Sequence, residues 1–331
     1  MMNESHAGTA RAALPLSWAK RGLVSLFDSA LVGGRPQQRY FAALGMAEDE
    51  IFTGYDAVDN GYFAQQAETV RVDAAACRRT HQLPPRYFLS LGRFVPKKNL
   101  PALIHAYRLF LNANPQSETH LVMVGAGPED FQLRAQCVKL GLQVHEKSHI
   151  PERAPASGKW EQQRGSKPGV HFYGFRQIKE NPLFYALAEA FILPSLYEEW
   201  GLVVNEAMAS GLPVIVSERA GCAEDLLEKG FPENATFTSI SVRRAGLRSK
   251  IRRNGFVFDP HSPEELSRVL GLLSSVAELR IAMGRASRVI VEKFSCENFG
   301  RNAWLAAQAA IEKQRSPAPA PARGELMIPP A

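Results

Sequence analysis

Pro194-Ser-Leu-Tyr-Glu198-Glu-Trp-Gly201-Leu-Val-Val-Asn-Glu206-Ala-Met-Ala-Ser-Gly211-Leu-Pro213-Val-Ile215 is the stretch on which the reading of this chain turns. The apolar run Ala190 to Leu193 before it predicts a strand. Gly201 to Ser210 predicts a helix that stops at Gly211, and Pro213 to Ser217 predicts a second strand. Strand, turn, helix, turn and strand make one βαβ unit of a parallel sheet. Two acids stand eight positions apart, Glu198 at the strand-to-helix turn and Glu206 inside the helix, so both carboxylates can face one crevice. Gly201 lets backbone approach a ligand at a helix N-terminus, where free N–H groups and the dipole favour phosphate. Glu206 then suits a ribose diol and Glu198 the hydroxyls of an attached sugar. The bland alternative is one turn glutamate and one solvated helix glutamate, but Ala207 and Met208 follow Glu206 as buried-type residues.

The same rhythm extends in both directions. Tyr87 to Leu91, His120 to Val124 and Val170 to Tyr173 read as strands. Leu100 to Asn112, Asp130 to Leu140, Pro182 to Glu189 and Cys222 to Glu228 read as helices. The expected fold class is therefore α/β, a Rossmann-like doubly wound parallel sheet with ligands beyond the carboxyl ends of its strands. At one such end, Gly92-Arg93-Phe-Val-Pro96-Lys97-Lys98 offers a guanidinium and an ammonium to a diphosphate. Gly125-Ala-Gly127 and Gly174-Phe175 end two further strands. A lone glycine turn says little, whereas glycine turns after consecutive strands of one sheet point to a shared rim.

Two polar segments, 143–169 and 231–253, read as inserted loops. The second carries Arg243, Arg244, Arg248, Lys250, Arg252 and Arg253 without interleaved aromatics, which fits a solvated face better than a nucleic-acid platform. Helices follow over Glu264 to Ser274, Ala277 to Lys293 and Cys296 to Lys313, and 314–331 is a Pro/Ala tail expected to be disordered. Ahead of Tyr87, Lys20 to Asp28 and Gln37 to Leu44 read as helices, with Ala30 to Val32 and Glu50 to Val58 as strands. That is a single α/β repeat with no repeats before it.

The chain has 331 residues, with 45% hydrophobic and 22% charged, which excludes a disordered or fibrous protein. Its net charge of +6 is compatible with phosphorylated ligands without demanding them. Cys77, Cys137, Cys222 and Cys296 show no C-x-x-C spacing, so a disulfide framework or thiolate zinc site is not expected. No apolar run spans a membrane and no signal peptide is visible, so the expected location is the cytoplasm. His145-Glu146-Lys-Ser-His149 matches a zinc-protease pattern, but that pattern needs a helix, and Pro151 lies just beyond. His171 reads as a satisfied strand histidine.

Taken together, residues 87–313 resemble the nucleotide-sugar domain of glycosyltransferase family 4, retaining enzymes of the GT-B fold. The 190–221 segment carries the resemblance most specifically, and it departs from the commonest form at Glu199 and Trp200. The resemblance implies that Arg93 and Lys98 clamp the donor diphosphate, Glu206 binds ribose and Glu198 the sugar. It places Gly92, Gly125, Gly127, Gly174, Gly201, Leu202 and Val203 along the donor and Phe175, with Arg176, at the base. No metal is expected, since there is no Asp-x-Asp and the cations take its part. It further implies domains 1–80 (N-terminal remnant and linker), 86–285 (nucleotide-sugar domain) and 286–313 (crossover helix). The family's glycine-rich loop and the His or Asp at the reacting centre would lie upstream of Met1. The expected reaction is sugar transfer from a nucleoside-diphosphate sugar to a glycan or lipid-linked acceptor at the inner membrane face. The alternative is a non-catalytic nucleotide-binding remnant, or one subunit of a split enzyme whose partner chain supplies the N-terminal domain. A remnant would also expose apolar surface.

Overall fold

The computed structural model describes residues 1–8, 14–147, 167–233, 242, 245–247 and 249–315. Its centre is an eight-stranded sheet. The strands are β4 (Tyr87–Leu91), β5 (His120–Val124), β6 (Gln143–Glu146), β7 (Gly169–Phe172), β8 (Ala190–Leu193), β9 (Val214–Ser217), β10 (Ile251–Arg252) and β11 (Gly255–Phe258). They run in the order β10-β11-β9-β8-β4-β5-β7-β6. All neighbours are parallel except β10 and β11.

The sheet is buried on both faces, and its sequence shows why. Alternate residues of β4, β5, β8 and β9 feed two different cores, as period-2 strands must. Leu89, Val122, Phe191 and Val216 enter one core, while Phe88, Leu121, Ile192 and Ile215 enter the other. On the second face lie α5 (Leu100–Ala113), α6 (Asp130–Lys139) and α10 (Pro263–Ser275), with Leu103, Tyr107, Leu133 and Leu270 buried there. On the first face lie α7 (Asn181–Leu187), α8 (Leu202–Ala209) and α9 (Ala223–Leu226). Chain order reverses around β4, whose neighbours are β5 and β8, so helices α5 and α8 leave on opposite faces and open a crevice at the strand ends.

Three departures from the sequence reading concern secondary structure. Residues 143–169, read as an inserted loop, begin with edge strand β6 and end in β7; 148–166, including His149, lie outside the described residues. Gln143 and Glu146 are exposed at that edge, so the strand carries no apolar run to betray it. Within 231–253, Ile251–Arg252 is likewise a strand, β10, and part of the basic cluster is paired: Lys250 with Glu218, Arg253 with Glu228. Arg243, Arg244 and Arg248 lie outside the described residues. Residues 60–81, at the end of the expected remnant and linker (1–80) and given no element there, form α3 (Asn60–Val72) and α4 (Ala74–His81). Phe63 and Ala67 of α3 join the first core, where α3 packs on α7 and α8.

A second, three-stranded parallel sheet comprises β1 (Met2–Asn3), β2 (Ala30–Val32) and β3 (Ile51–Thr53), in that order. Helices α1 (Leu14–Val24) and α2 (Arg35–Ala43) connect them. Val24, Ala30, Val32, Phe41, Met46 and Ile51 make a small core of their own. The last helices are α11 (Ala277–Val291) and α12 (Cys296–Arg315). The latter crosses back onto β2 and β3, where Ser29 Oγ donates to the Ala306 carbonyl at 2.8 Å and Asn302 Nδ2 to the Thr53 carbonyl at 2.9 Å. Trp18, Leu23 and Leu26 on and after α1, with Trp304 and Leu305 of α12, leave apolar surface in solvent. Residues 316–331, most of the Pro/Ala tail, lie outside the described residues.

Candidate active site

The three glycine turns at the ends of β4, β5 and β7 are joined side by side. Gly92 N–H donates to the Val124 carbonyl at 3.0 Å and Gly125 N–H to the Gly174 carbonyl at 2.8 Å. Gly125 has φ +144°, and a Cβ there would stand 1.9 Å from the Gly92 carbonyl oxygen, so no side chain fits. At Gly127 the equivalent space is filled by the backbone of Phe94, 2.3 Å away. Gly127 therefore serves the close approach of two turns and does not face the cavity.

That cavity, about 280 Å³, is lined by Gly92, Arg93, Gly125, Phe175, Arg176 and Glu206, with Leu91, Val124, Ala126, Ile178 and Asn181. Six residues chosen from the sequence thus meet around one space. Arg93 is exposed, and its side chain makes no hydrogen bond or ion pair among the described residues. Phe175, 64% exposed, stands at the mouth with its ring uncovered. Glu206 is at the back wall, 7% exposed. Its Oε2 accepts from Tyr185 Oη at 2.9 Å and Asn181 Nδ2 at 3.4 Å. Burial pushes the Glu206 carboxyl above the usual range, and those two bonds offset part of the rise.

Lys98 and Glu198 lie beside this cavity and are joined to it. The Lys98 stem passes over Gly92, with Cε 3.8 Å from where a Cβ would stand. Its ammonium is bonded to Oε2 of Glu198, which also accepts from Ser195 Oγ at 3.3 Å. Gly201 begins α8 at φ +109°, with Glu198 Cγ 3.5 Å from its missing Cβ. Leu202 is partly exposed and Val203 packs against the core. Gly174, at φ +67°, opens onto free space.

Several partners escaped the sequence reading. Asn181 and Tyr185 sit one helical turn apart on α7, a spacing that could have flagged a shared face. Lys97 bonds Glu198 Oε1 at 3.2 Å and Glu199 Oε2 at 2.7 Å. Partial burial pushes the Lys97 ammonium down, but its bonds to Glu199 and Glu198 outweigh this and raise it. His6 follows β1, and its Nε2 is 2.9 Å from the Glu198 carbonyl oxygen. From α2, Gln37 Nε2 donates to the Glu199 carbonyl at 2.8 Å. The small unit therefore touches the acidic turn directly through backbone carbonyls, which no residue pattern announces. Trp200 is buried beneath Gly33 and Gly34, and its Nε1–H donates to Asn205 Oδ1 at 2.9 Å. Its size fills the seam between the two units.

Other concave or titratable features do not converge on this chemistry. A cavity of about 740 Å³ is lined by residues of α2 and α9 among others, and four of its charges pair with each other, Arg35 with Asp225 and Lys293 with Glu228. His145 stacks on His171 at 4.3 Å between ring centroids, and His171 Nε2 lies 3.0 Å from His120 Nδ1. The three imidazoles sit on neighbouring strands, and among the described residues no group of acids, cysteines and histidines could hold a metal. No described helix is long and apolar enough to cross a membrane.

A doubly wound sheet with an acidic strand-to-helix turn and a cationic rim defines the class: a Rossmann-like domain of the GT-B glycosyltransferase type. The model of the glycosyl transferases group 1 family matches residues 85–275, and the chain belongs to that family. Among curated relatives it is similar to O-antigen chain mannosyltransferase B of Escherichia coli, 27% identical over 145 residues, 44% of this chain and 32% of that one. It is 32% identical to sulfoquinovosyl transferase SQD2 of Arabidopsis thaliana over 144 residues, 44% of this chain and 23% of that one. Among solved structures, a glycosyltransferase from Rickettsia africae matches with a TM-score of 0.64 at 14% identity, over 91% of this chain and 68% of that one. Anabaena HepE in complex with UDP and glucose matches with a TM-score of 0.59 at 18% identity, over 88% of this chain and 67% of that one. The matched regions span a third or less of the two curated relatives named.

Proposed function

We propose that this chain binds a nucleoside-diphosphate sugar and takes part in its transfer, with retention, as a family 4 glycosyltransferase. The observation that carries the reading is the cavity at the strand ends that gathers Gly92, Arg93, Gly125, Phe175 and Glu206. Glu206 accepts the ribose hydroxyls, and Phe175 frames the base. Arg93 and Lys98 neutralise the diphosphate in place of a metal ion. Gly92, Gly125, Gly201, Leu202 and Val203 let backbone approach the donor, and Glu198 orients the sugar.

In this reading the bond between the anomeric carbon and the diphosphate oxygen breaks while Arg93 and Lys98 stabilise the charge left on the diphosphate. The acceptor oxygen bonds to the same face of that carbon, and its proton passes to the departing phosphate oxygen. The acceptor is a glycan or lipid-linked glycan at the cytoplasmic membrane face. A second reading is nucleotide binding without transfer until another chain contributes, and the exposed Trp18, Leu23, Leu26 and Trp304 favour it.

Slow hydrolysis of an α-linked UDP-, GDP- or ADP-sugar, followed by NMR, separates the readings. Retaining chemistry releases the α-anomer of the sugar first. The β-anomer appearing first contradicts retention, and nucleotide binding without any release supports the second reading.

A further inference from the structure

Lys97 and Lys98 are adjacent in a single 3-10 turn, yet they are tied down very differently. Lys98 has one carboxylate partner among the described residues, Oε2 of Glu198. Lys97 has two, Oε1 of Glu198 and Oε2 of Glu199, and its ammonium also lies 5.7 Å from the centre of the Tyr197 ring. Its backbone carbonyl accepts from Leu196 N–H at 2.8 Å, which stitches the turn to the acidic loop. The Glu198 side chain is 9% exposed, so it sits where an unaccompanied carboxylate is costly.

These contacts bear on the proposed donor site, and the inference rests on that reading. A diphosphate draws Lys98 away from Glu198, because one ammonium cannot serve both anions at full strength. Glu198 must then keep a counter-ion and a fixed rotamer if it is to meet the sugar. We propose that Lys97 is a positioning residue that stays with Glu198 when Lys98 transfers to the diphosphate, with Glu199 as its second anchor. Lys97 touches neither diphosphate nor sugar. It acts through Glu198, so it governs the sugar part of the donor and not the nucleotide part.

The test is titration calorimetry of the full chain with three pairs: UDP and UDP-glucose, GDP and GDP-mannose, ADP and ADP-glucose. For the pair that binds, Lys97→Met should weaken the nucleotide sugar by about tenfold and leave the bare nucleotide within about twofold. Lys97→Arg should restore the sugar increment, and Glu199→Gln should give an intermediate loss. Lys98→Met should weaken both ligands alike. Thermal melts show whether Lys97→Met is folded, and Lys97→Arg answers the question if it is not. Equal weakening of both ligands by Lys97→Met, or no weakening, overturns the proposal while leaving the donor site standing. A folded wild-type chain that binds none of the six ligands overturns the donor site, and this proposal with it.

Discussion

The hydroxyl of Tyr185 donates to Oε2 of Glu206 at 2.9 Å across the back wall of the strand-end cavity. This contact joins α7 to α8 and turns a helix glutamate into a fixed acceptor. It also offsets part of the cost of burying the charge.

Glu206→Gln should therefore separate stability from binding. A carboxyl raised in the fold binds its proton more tightly there than when unfolded, so its stabilising effect is present at low pH. That effect fades as pH rises from the ordinary carboxylate range through the raised value. At pH 7 the glutamine variant should melt no lower than wild type within about 1 kcal/mol, while nucleoside-diphosphate affinity falls about tenfold or more. Tyr185→Phe should lose affinity less and stability more, because it leaves Glu206 with a single weak partner. Calorimetry and thermal melts on both variants check this.

Two glycines at the same rim should respond differently. Gly125→Ala sets a methyl 1.9 Å from a backbone carbonyl oxygen that cannot move aside, and a loss of about 3 kcal/mol or more is expected. Gly174→Ala meets nothing within 4 Å and carries only the strain of φ +67°, about 1 kcal/mol. Urea unfolding of the two variants measures the difference, and equal losses would contradict the close packing of the turns.

The histidines of β5, β6 and β7 give the fold an acid-sensitive edge. Burial, then the neighbouring imidazoles, push His171 down to about 2; burial and His145 push His120 down to about 4. Below about pH 6.5 the unfolded chain takes up protons that the folded chain refuses, so stability falls with pH. The slope approaches ~1.4 kcal/mol per pH unit for each histidine involved. Asp56, raised to about 8 by burial and by Glu4, slopes the opposite way. The contrast between wild type and His171→Gln therefore isolates the histidine share: urea unfolding between pH 7.5 and 5 should give the variant the shallower acid loss.

Much of the eight-stranded sheet was legible because most of its strands are short apolar runs, three of them (β4, β5 and β7) leading into glycine turns. Leu89, Val122 and Phe191 alternate with residues that enter the opposite core, and each strand ends at a turn whose chemistry is visible. The placement of Glu198 at a turn and of Glu206 inside a helix was legible from the strand-to-helix pattern around Gly201, although only Glu206 lines the cavity. Strand β6 was hidden because Gln-Val-His-Glu at a sheet edge has no apolar signature. Helix α3 was hidden because its buried face amounts to Phe63 and Ala67. Lys97, Tyr185 and His6 were hidden for a different reason: each matters through a partner that only the folded chain brings near. The Glu198 carbonyl is 192 positions from His6.

Binding of nucleoside diphosphates tests the central claim most directly. Titration calorimetry of the chain with UDP, GDP and ADP should show one nucleotide bound at a single site. Arg93→Ala, whose side chain is exposed and unpaired among the described residues, should weaken that binding about tenfold without lowering the melting temperature. No binding by a folded wild-type chain, or full binding by Arg93→Ala, would contradict the assignment of the strand-end cavity to the donor.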